Sequence, residues 1–242
     1  MEEKFRILME QELRILSIQL AEYQMEQFYQ YYQLLTEWNK VMNLTAITEL
    51  DQVVTKHFVD SLALVKVIGE EEINHINVID VGTGAGFPGI PLKIAFPGCQ
   101  MTLLDSLNKR VKFLDETAAR LKLKDIQTVH GRAEDLGRNL SYREGYSLCV
   151  SRAVANLSTL SEYCIPFVKL GGYFVSYKSG NVEEEVRQAK GAFKLLGGKL
   201  ESIQEFILPG SDMKRTLLKI KKVEGTSKKY PRKAGLPGKE PL

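Results

Sequence analysis

The segment Val78-Ile79-Asp80-Val81-Gly82-Thr83-Gly84-Ala85-Gly86-Phe87-Pro88-Gly89 constrains the fold of this chain more than any other. A β-branched run reads as a buried strand, and it empties into closely spaced glycines with a proline where a helix should begin. Glycines at that density let the backbone turn sharply and let a ligand approach the main chain. In open parallel sheets, ligands sit outside the carboxyl ends of the strands, where the strand order reverses. This one segment therefore predicts both an α/β sheet and the place of a ligand.

The surrounding pattern agrees. Apolar, β-branched runs occupy residues 76–81, 101–105, 126–130, 146–151, 173–178, 200–208 and 216–220. Helical patterns fill 90–96, 109–121, 157–168 and 182–196. Such alternation predicts a mostly parallel seven-stranded sheet with helices on both faces, wound by right-handed crossovers. The last two runs are joined across Pro209 and Gly210 without a helix, which predicts an antiparallel hairpin at one edge. Residues 4–42 carry no strand signal and read as helices, ended by Asn43-Leu44-Thr45; a further helix spans 51–68, with Gly69 as its stop. Between residues 22 and 40, Tyr23, Phe28, Tyr31, Tyr32, Leu35 and Trp38 crowd together. They either pack on the main body or offer an aromatic surface to nucleobases.

Composition excludes several classes. Hydrophobic residues make up 44% and charged residues 26%, ordinary globular usage. No apolar stretch approaches the roughly eighteen residues of a spanning helix, so no membrane association is expected. The start, Met1-Glu2-Glu3-Lys4, has the wrong polarity for a secretory signal. Cys99, Cys149 and Cys164 are odd in number and widely spaced, which suits a reducing, cytoplasmic compartment. His57, His75 and His130 share no ligand spacing, so no metal is expected. Oligomeric state is not legible, and a monomer is the default expectation. The net charge of +3 is uneven. From Met213 to Leu242 ten basic residues face Glu224 and Glu240, a net of +8, while the remaining 23 basic and 28 acidic residues leave −5. A basic tail on an acidic body is either a solvated end or a contact for a polyanion.

Two cofactor classes compete for the glycine loop. A dinucleotide fingerprint can be laid on Gly84, Gly86 and Gly89, but it omits Gly82 and starts two residues too far from the strand. Counted from Gly82, Phe87 occupies the place of the third glycine, which close helix–strand packing requires. Nicotinamide and flavin are therefore disfavoured. The alternative, Asp-x-Gly-x-Gly-x-Gly beginning at Asp80, is similar to the first motif of Rossmann-like methyltransferases, which bind S-adenosylmethionine. Asp105 ends the next strand and is placed to accept hydrogen bonds from ribose hydroxyls; its alternative is a turn or helix-capping acid. Gly131-Arg132-Ala133-Glu134 follows the third strand, where a main-chain N–H and a side-chain acceptor suit an adenine edge.

A narrower resemblance rests on Asn43-Leu44-Thr45, His57 with Asp60-Ser61, the loop from Asp80 to Leu92, Arg132-Ala133-Glu134, Ser151-Arg152-Ala153, and the closing Tyr230-Pro231-Arg232-Lys233 with Gly235 and Pro237. In order and spacing these resemble the bacterial RsmG family, also called glucose-inhibited division protein B, over essentially the whole chain. The resemblance implies an S-adenosylmethionine-dependent methyltransferase with a Rossmann-like fold, acting on N7 of a guanine in 16S ribosomal RNA of the small subunit. It implies cofactor contacts at Gly82, Phe87, Asp105, Ala133, Glu134 and Arg152, with Gly84 in the same loop. The partner expected is small-subunit ribosomal RNA or an assembling small ribosomal subunit. The expected organisation is a helical extension over residues 1–72, a methyltransferase domain over 73–224 and a basic tail over 225–242.

The residues after the fourth strand bear on the acceptor. Enzymes that methylate exocyclic amines typically carry an Asn/Asp-Pro-Pro-aromatic motif there, whereas this chain has Ser151-Arg152-Ala153. Methylation at C5 of cytosine needs a thiolate, and Cys149 lies in an apolar run that reads as core. Guanine N7 has a free lone pair and no proton, so the lack of an obvious acid–base pair fits it; no catalytic residue is assigned. Arg152 either meets cofactor and acceptor or forms a structural salt bridge. Lys178 is either a phosphate contact or a surface lysine, and His57 with Asp60 either a cleft cluster or helix packing. Two other readings stay open: the same fold acting on a small molecule or protein, and a non-catalytic nucleotide-responsive RNA-binding module. On the first reading, removing residues 225–242 should weaken RNA binding and leave cofactor affinity intact.

Overall fold

A computed structural model of the chain describes every residue except Asn181. Two long helices open it, α1 (Glu3–Ile15) and α2 (Glu22–Met42). The side chain of Gln24 accepts from the Ala21 N–H at the start of α2, and Asn43 ends it in the left-handed conformation at φ 49°. A single helical run then changes pitch along its length. It passes from α3 (Leu50–Val53) through a π-helical turn at Val54–Val59 to α4 (Asp60–Leu62) and a 3-10 turn at Ala63–Lys66. The expected helix over 51–68 is present, but widened at its centre, where His57 lies; π turns of this kind are frequent at functional sites. The short α5 (Glu70–Ile73) leads into the sheet.

Strands and helices then alternate as β1 (Asn77–Val81), α6 (Gly89–Ala95), β2 (Gln100–Asp105), α7 (Asn108–Arg120), β3 (Ile126–His130), α8 (Ala133–Leu136), β4 (Tyr146–Ser151), α9 (Leu157–Cys164), β5 (Val168–Ser179) and α10 (Glu183–Leu196). The last strands, β6 (Gly198–Ile207) and β7 (Lys214–Lys222), precede a terminal turn of helix, α11 (Leu236–Lys239). The sheet has seven strands in the order β3-β2-β1-β4-β5-β7-β6. The five central pairings that involve β1 to β5 are four parallel ones and the antiparallel β5–β7 pair, with β6–β7 also antiparallel. β7 inserts between β5 and β6, so the outer edge is β6, where Lys199, Glu201 and Glu205 discourage pairing with another chain. The helix expected to reach residue 168 stops at Cys164, because Pro166 lacks the N–H a continuing helix requires, and Val168 already belongs to β5.

Alternation along the strands builds two cores. Val78, Leu148, Val150 and Val175 face α6, α7 and the N-terminal helices, whereas Ile79, Val81, Cys149 and Phe174 face α9 and α10. Apart from the exposed Tyr23, the aromatic crowd in α2 is packing. Phe28, Tyr31 and Leu35 have no exposed surface, and Tyr31 stacks on Phe58 at 5.4 Å. Each such ring buries enough apolar surface to stabilise by roughly 2–3 kcal/mol. The N-terminal helices thus share one hydrophobic core with the sheet. No helix of the described residues is long and apolar enough to cross a membrane.

Candidate active site

The strand order reverses between β1 and β4, each of which pairs with a parallel neighbour on its other side. The loops that leave their carboxyl ends diverge there and open a cleft of about 860 Å³. All seven residues picked out in the sequence, Gly82, Gly84, Phe87, Asp105, Ala133, Glu134 and Arg152, line it. They come from the ends of four different strands. Small-molecule clefts commonly measure about 300–1,000 Å³.

The floor is the glycine loop. Gly82 and Gly84 adopt φ of +71° and +62°, and a Cβ at Gly82 would meet that of Ala153 at 3.2 Å. Asp80 braces this loop from beneath. Its Oδ2 accepts from the Thr83 hydroxyl at 2.6 Å and from the Gly89 N–H at 2.8 Å. Asp80 is fully buried and does not line the cleft, so it acts on the loop and not on a ligand. Burial pushes its carboxyl up to about 7, against the pull of those two hydrogen bonds. From the far side, the Tyr31 hydroxyl donates to the Ala85 carbonyl at 2.5 Å, a link between the N-terminal helices and the loop.

Asp105, at the tip of β2, holds the opposite lip. Its Oδ2 accepts from the Gly84 N–H at 2.9 Å and lies 3.4 Å from Arg110, while Oδ1 accepts from the Leu107 N–H at 2.9 Å. The carboxylate retains acceptor capacity beyond these bonds. Ala133 and Glu134 begin α8, and the Glu134 Oε1 accepts from the Gly235 N–H at 2.8 Å. Gly235 itself lines the cleft.

At the other end Phe87 is nearly buried. The His57 ring stacks on it at 4.4 Å and 20°, and the Arg152 guanidinium lies 5.7 Å above it. Arg152 is anchored on the widened helix of the N-terminal region. It donates to the Ser61 hydroxyl at 2.9 Å and the Lys56 carbonyl at 3.0 Å, and pairs with Asp60 at 3.1 Å. Asp60 also pairs with Arg215 at 3.0 Å. Arg152 therefore makes the salt bridge foreseen as its alternative and lines the cleft as well. His57 and Asp60 are not partners: the His57 Nε2 meets the Thr45 hydroxyl at 2.9 Å, and its buried Nδ1 has no hydrogen-bond partner among the described residues. Burial and the Arg152 charge lower its pKa to about 3, so the ring is neutral at physiological pH.

Lys178 stands outside the cleft, with its ammonium on the Ala155 carbonyl and on Glu185, both at 2.6 Å. It anchors the loop after β4, and the phosphate reading is set aside. Cys149 is fully buried, and that burial pushes its thiol well above the usual range, so it is no nucleophile. Among the described residues no group of three or more His, Cys, Asp or Glu stands together as a metal site. Tyr31, Thr45, Arg110 and Gly235 went unnoticed in the sequence as parts of the site. Thr45 and Gly235 carried a signal, as parts of Asn43-Leu44-Thr45 and of the closing Tyr230 to Pro237 motif; Tyr31 and Arg110 reach the site through contacts that spacing does not encode.

The fold matches solved structures of distant sequence. M. jannaschii TYW2, solved in complex with AdoMet, aligns with a TM-score of 0.53 at 13% identity, over 68% of this chain and 75% of that one. The YcgJ protein of Bacillus subtilis aligns at 0.52 and 14% identity, over 70% of this chain and 100% of that one. These likenesses establish a Rossmann-like methyltransferase fold. Sequence relatives are far nearer. A protein of Lachnoclostridium phytofermentans named ribosomal RNA small subunit methyltransferase G is 54% identical over 96% of this chain and 95% of its own length. Its namesake from Acetivibrio thermocellus is 52% identical over 93% and 91%. The family model for rRNA small subunit methyltransferase G, GidB, matches residues 24–216. By extent and identity alike, this chain belongs to the rRNA small subunit methyltransferase G family.

Proposed function

We propose that this chain transfers a methyl group from S-adenosylmethionine to N7 of a guanine in 16S ribosomal RNA. One observation carries the reading: residues from four strand ends converge on one cleft at the switch point of the sheet. The residues fit the cofactor. Gly82 and Gly84 both hold positive φ, and a Cβ at Gly82 would crowd Ala153, so the loop makes a floor that a ligand can approach closely. Asp105 would take the ribose hydroxyls, Ala133 and Glu134 would face the adenine, and Gly82, Gly84, Phe87 and Arg152 would border the methionine part. Asp105 and Glu134 supply negative charge to a cationic ligand.

When bound, S-adenosylmethionine supplies an electrophilic methyl on a sulfonium centre. The chain's own task is alignment and exclusion of water. Guanine N7 presents a lone pair and no proton, so no general base is required, and the neutral His57 and the structurally engaged Asp60 suit that demand. Phe87 and Arg152 offer a flat apolar face and a guanidinium beside the cofactor region, suited to a ring that gains positive charge and to its O6 acceptor. N7 faces the deep, narrow groove of A-form RNA, which side chains do not enter, so the target base must be unstacked or looped. Lys214, Lys228, Lys229, Lys233 and Lys239 are exposed and form none of the ion pairs seen elsewhere in that segment, which supports them as phosphate contacts.

The test is incubation of the purified protein with methyl-labelled S-adenosylmethionine and either naked small-subunit RNA or assembly intermediates. Label in RNA supports the reading. Label in protein or in small molecules alone would move the chain to the other methyltransferase classes, and cofactor-independent RNA binding without transfer would make it a binding module.

A further inference from the structure

Residues 225–242 have the composition of a linker, yet they run as a strap from the amino end of β4, where Thr226 bonds Glu144, along α8 and α9 and into the wall of the cleft. Arg138 donates to the Pro231 carbonyl at 2.7 Å, and Arg143 to the carbonyls of Tyr230 at 2.8 Å and Thr226 at 2.6 Å. The Thr159 hydroxyl of α9 donates to the Pro237 carbonyl at 2.9 Å. Glu162 of α9 has no exposed surface, and its carboxylate takes the Arg232 backbone N–H at 2.6 Å and the guanidinium at 2.9 and 2.7 Å. A buried carboxylate is strongly destabilising without a partner, and among the described residues every hydrogen bond to this one comes from Arg232. The body thus contains a socket built for the strap.

That socket delivers Gly235 to the cleft. With φ at +82° and open space where a Cβ would lie, Gly235 turns its N–H onto the Glu134 carboxylate at 2.8 Å. Pro231 lies against Gly137 at the end of the same short helix, where an added Cβ would come within 3.0 Å of the ring. The strap therefore grips α8 at both ends.

We propose that the C-terminal strap is a wall of the cofactor cleft, and that Gly235 is a positioning residue that fixes Glu134 for the cofactor. The inference rests on the reading of the cleft as an S-adenosylmethionine site. It also reverses the expectation that removing the tail leaves cofactor affinity intact.

Isothermal titration with S-adenosylmethionine and with S-adenosylhomocysteine tests it without any activity measurement. Two variants are used: truncation after Ala234, which keeps the Arg232–Glu162 pair, and Gly235→Ala, which keeps the whole strap but disfavours its left-handed turn. Urea denaturation shows which of them fold, and Gly235→Ala decides should the truncation unfold. Each folded variant should raise the Kd about tenfold in the wild-type background and by no more than about twofold beside Glu134→Ala, since coupled residues are non-additive. An unchanged Kd in both variants overturns the proposal, and so does an equal loss with and without Glu134. A wild-type chain that binds neither ligand overturns the cofactor reading itself, a distinct outcome.

Discussion

Replacing Asp80 with asparagine should unmask an acid sensitivity that the wild-type chain conceals. Asp80 titrates near 7 in the folded chain, against an ordinary value of 3.8. A carboxyl raised in this way holds its proton more tightly when folded, so the stability it contributes is complete below 3.8 and is lost as pH rises towards 7. From pH 5 to 8 that loss is about 2–3 kcal/mol. His57 works in the opposite sense. Its value falls from 6.5 to about 3, so its contribution is complete above 6.5 and declines as pH falls. From pH 8 to 5 that decline is about 2 kcal/mol. The two slopes nearly cancel. Asparagine keeps an oxygen for the Thr83 hydroxyl and the Gly89 N–H but cannot ionise, and the neighbouring Arg152 and Asp105 charges stay in place. The variant should therefore gain about 2–3 kcal/mol relative to wild type between pH 5 and 8. Urea denaturation at pH 5, 6.5 and 8, with equal m-values, measures the difference. Parallel pH profiles for the two proteins would refute the argument, since they require Asp80 to be ionised throughout.

Other substitutions probe the cleft and its edges. Asp105→Ala removes the acceptor for the Gly84 and Leu107 N–H groups and for the ligand, and should weaken S-adenosylmethionine by at least about thirtyfold in titration calorimetry; a loss under threefold would remove Asp105 from the site. Arg152→Ala leaves the buried Asp60 with Arg215 alone and should cost about 3 kcal/mol in urea unfolding. A cost below about 1 kcal/mol would mean the pair is solvent-screened. Changing Lys228, Lys229, Lys233 and Lys239 together to Gln should lower the log–log salt slope of RNA binding by about three and leave cofactor affinity unchanged. An unaltered slope would remove the strap from the RNA interface.

The residues that the main chain itself constrains were legible in the sequence. A glycine loop after a β-branched strand, an acid at the tip of β2 and Ala133-Glu134 after β3 all lie at fixed offsets from strand ends, so the alternating pattern carries them to one place. What pattern reading missed depends on long-range contact. Tyr31 looks like any packing aromatic, and nothing near it announces a hydroxyl bonded 54 residues away. The charge split pointed to a free basic tail, yet five of its ten positives are internal ion pairs, through Arg215, Lys219, Lys221, Lys222 and Arg232. Counting charge cannot separate Lys222, almost fully buried beside Glu144, from Lys228 in solvent. Asp80 opens the glycine motif in the sequence, yet only the structure shows that its side chain turns inward to hold Gly89.

The proposal of methyl transfer to guanine N7 is tested most directly by locating the methyl group within the modified nucleotide. Small-subunit RNA treated with the protein and S-adenosylmethionine would be digested to nucleosides for mass spectrometry, and in parallel reduced and cleaved with aniline, which breaks the chain at 7-methylguanine. Transfer to N7 yields 7-methylguanosine and a single new cleavage site in a looped region, both lost with Asp105→Ala. A methyl on an exocyclic amine, on a ribose hydroxyl or on cytosine would contradict it.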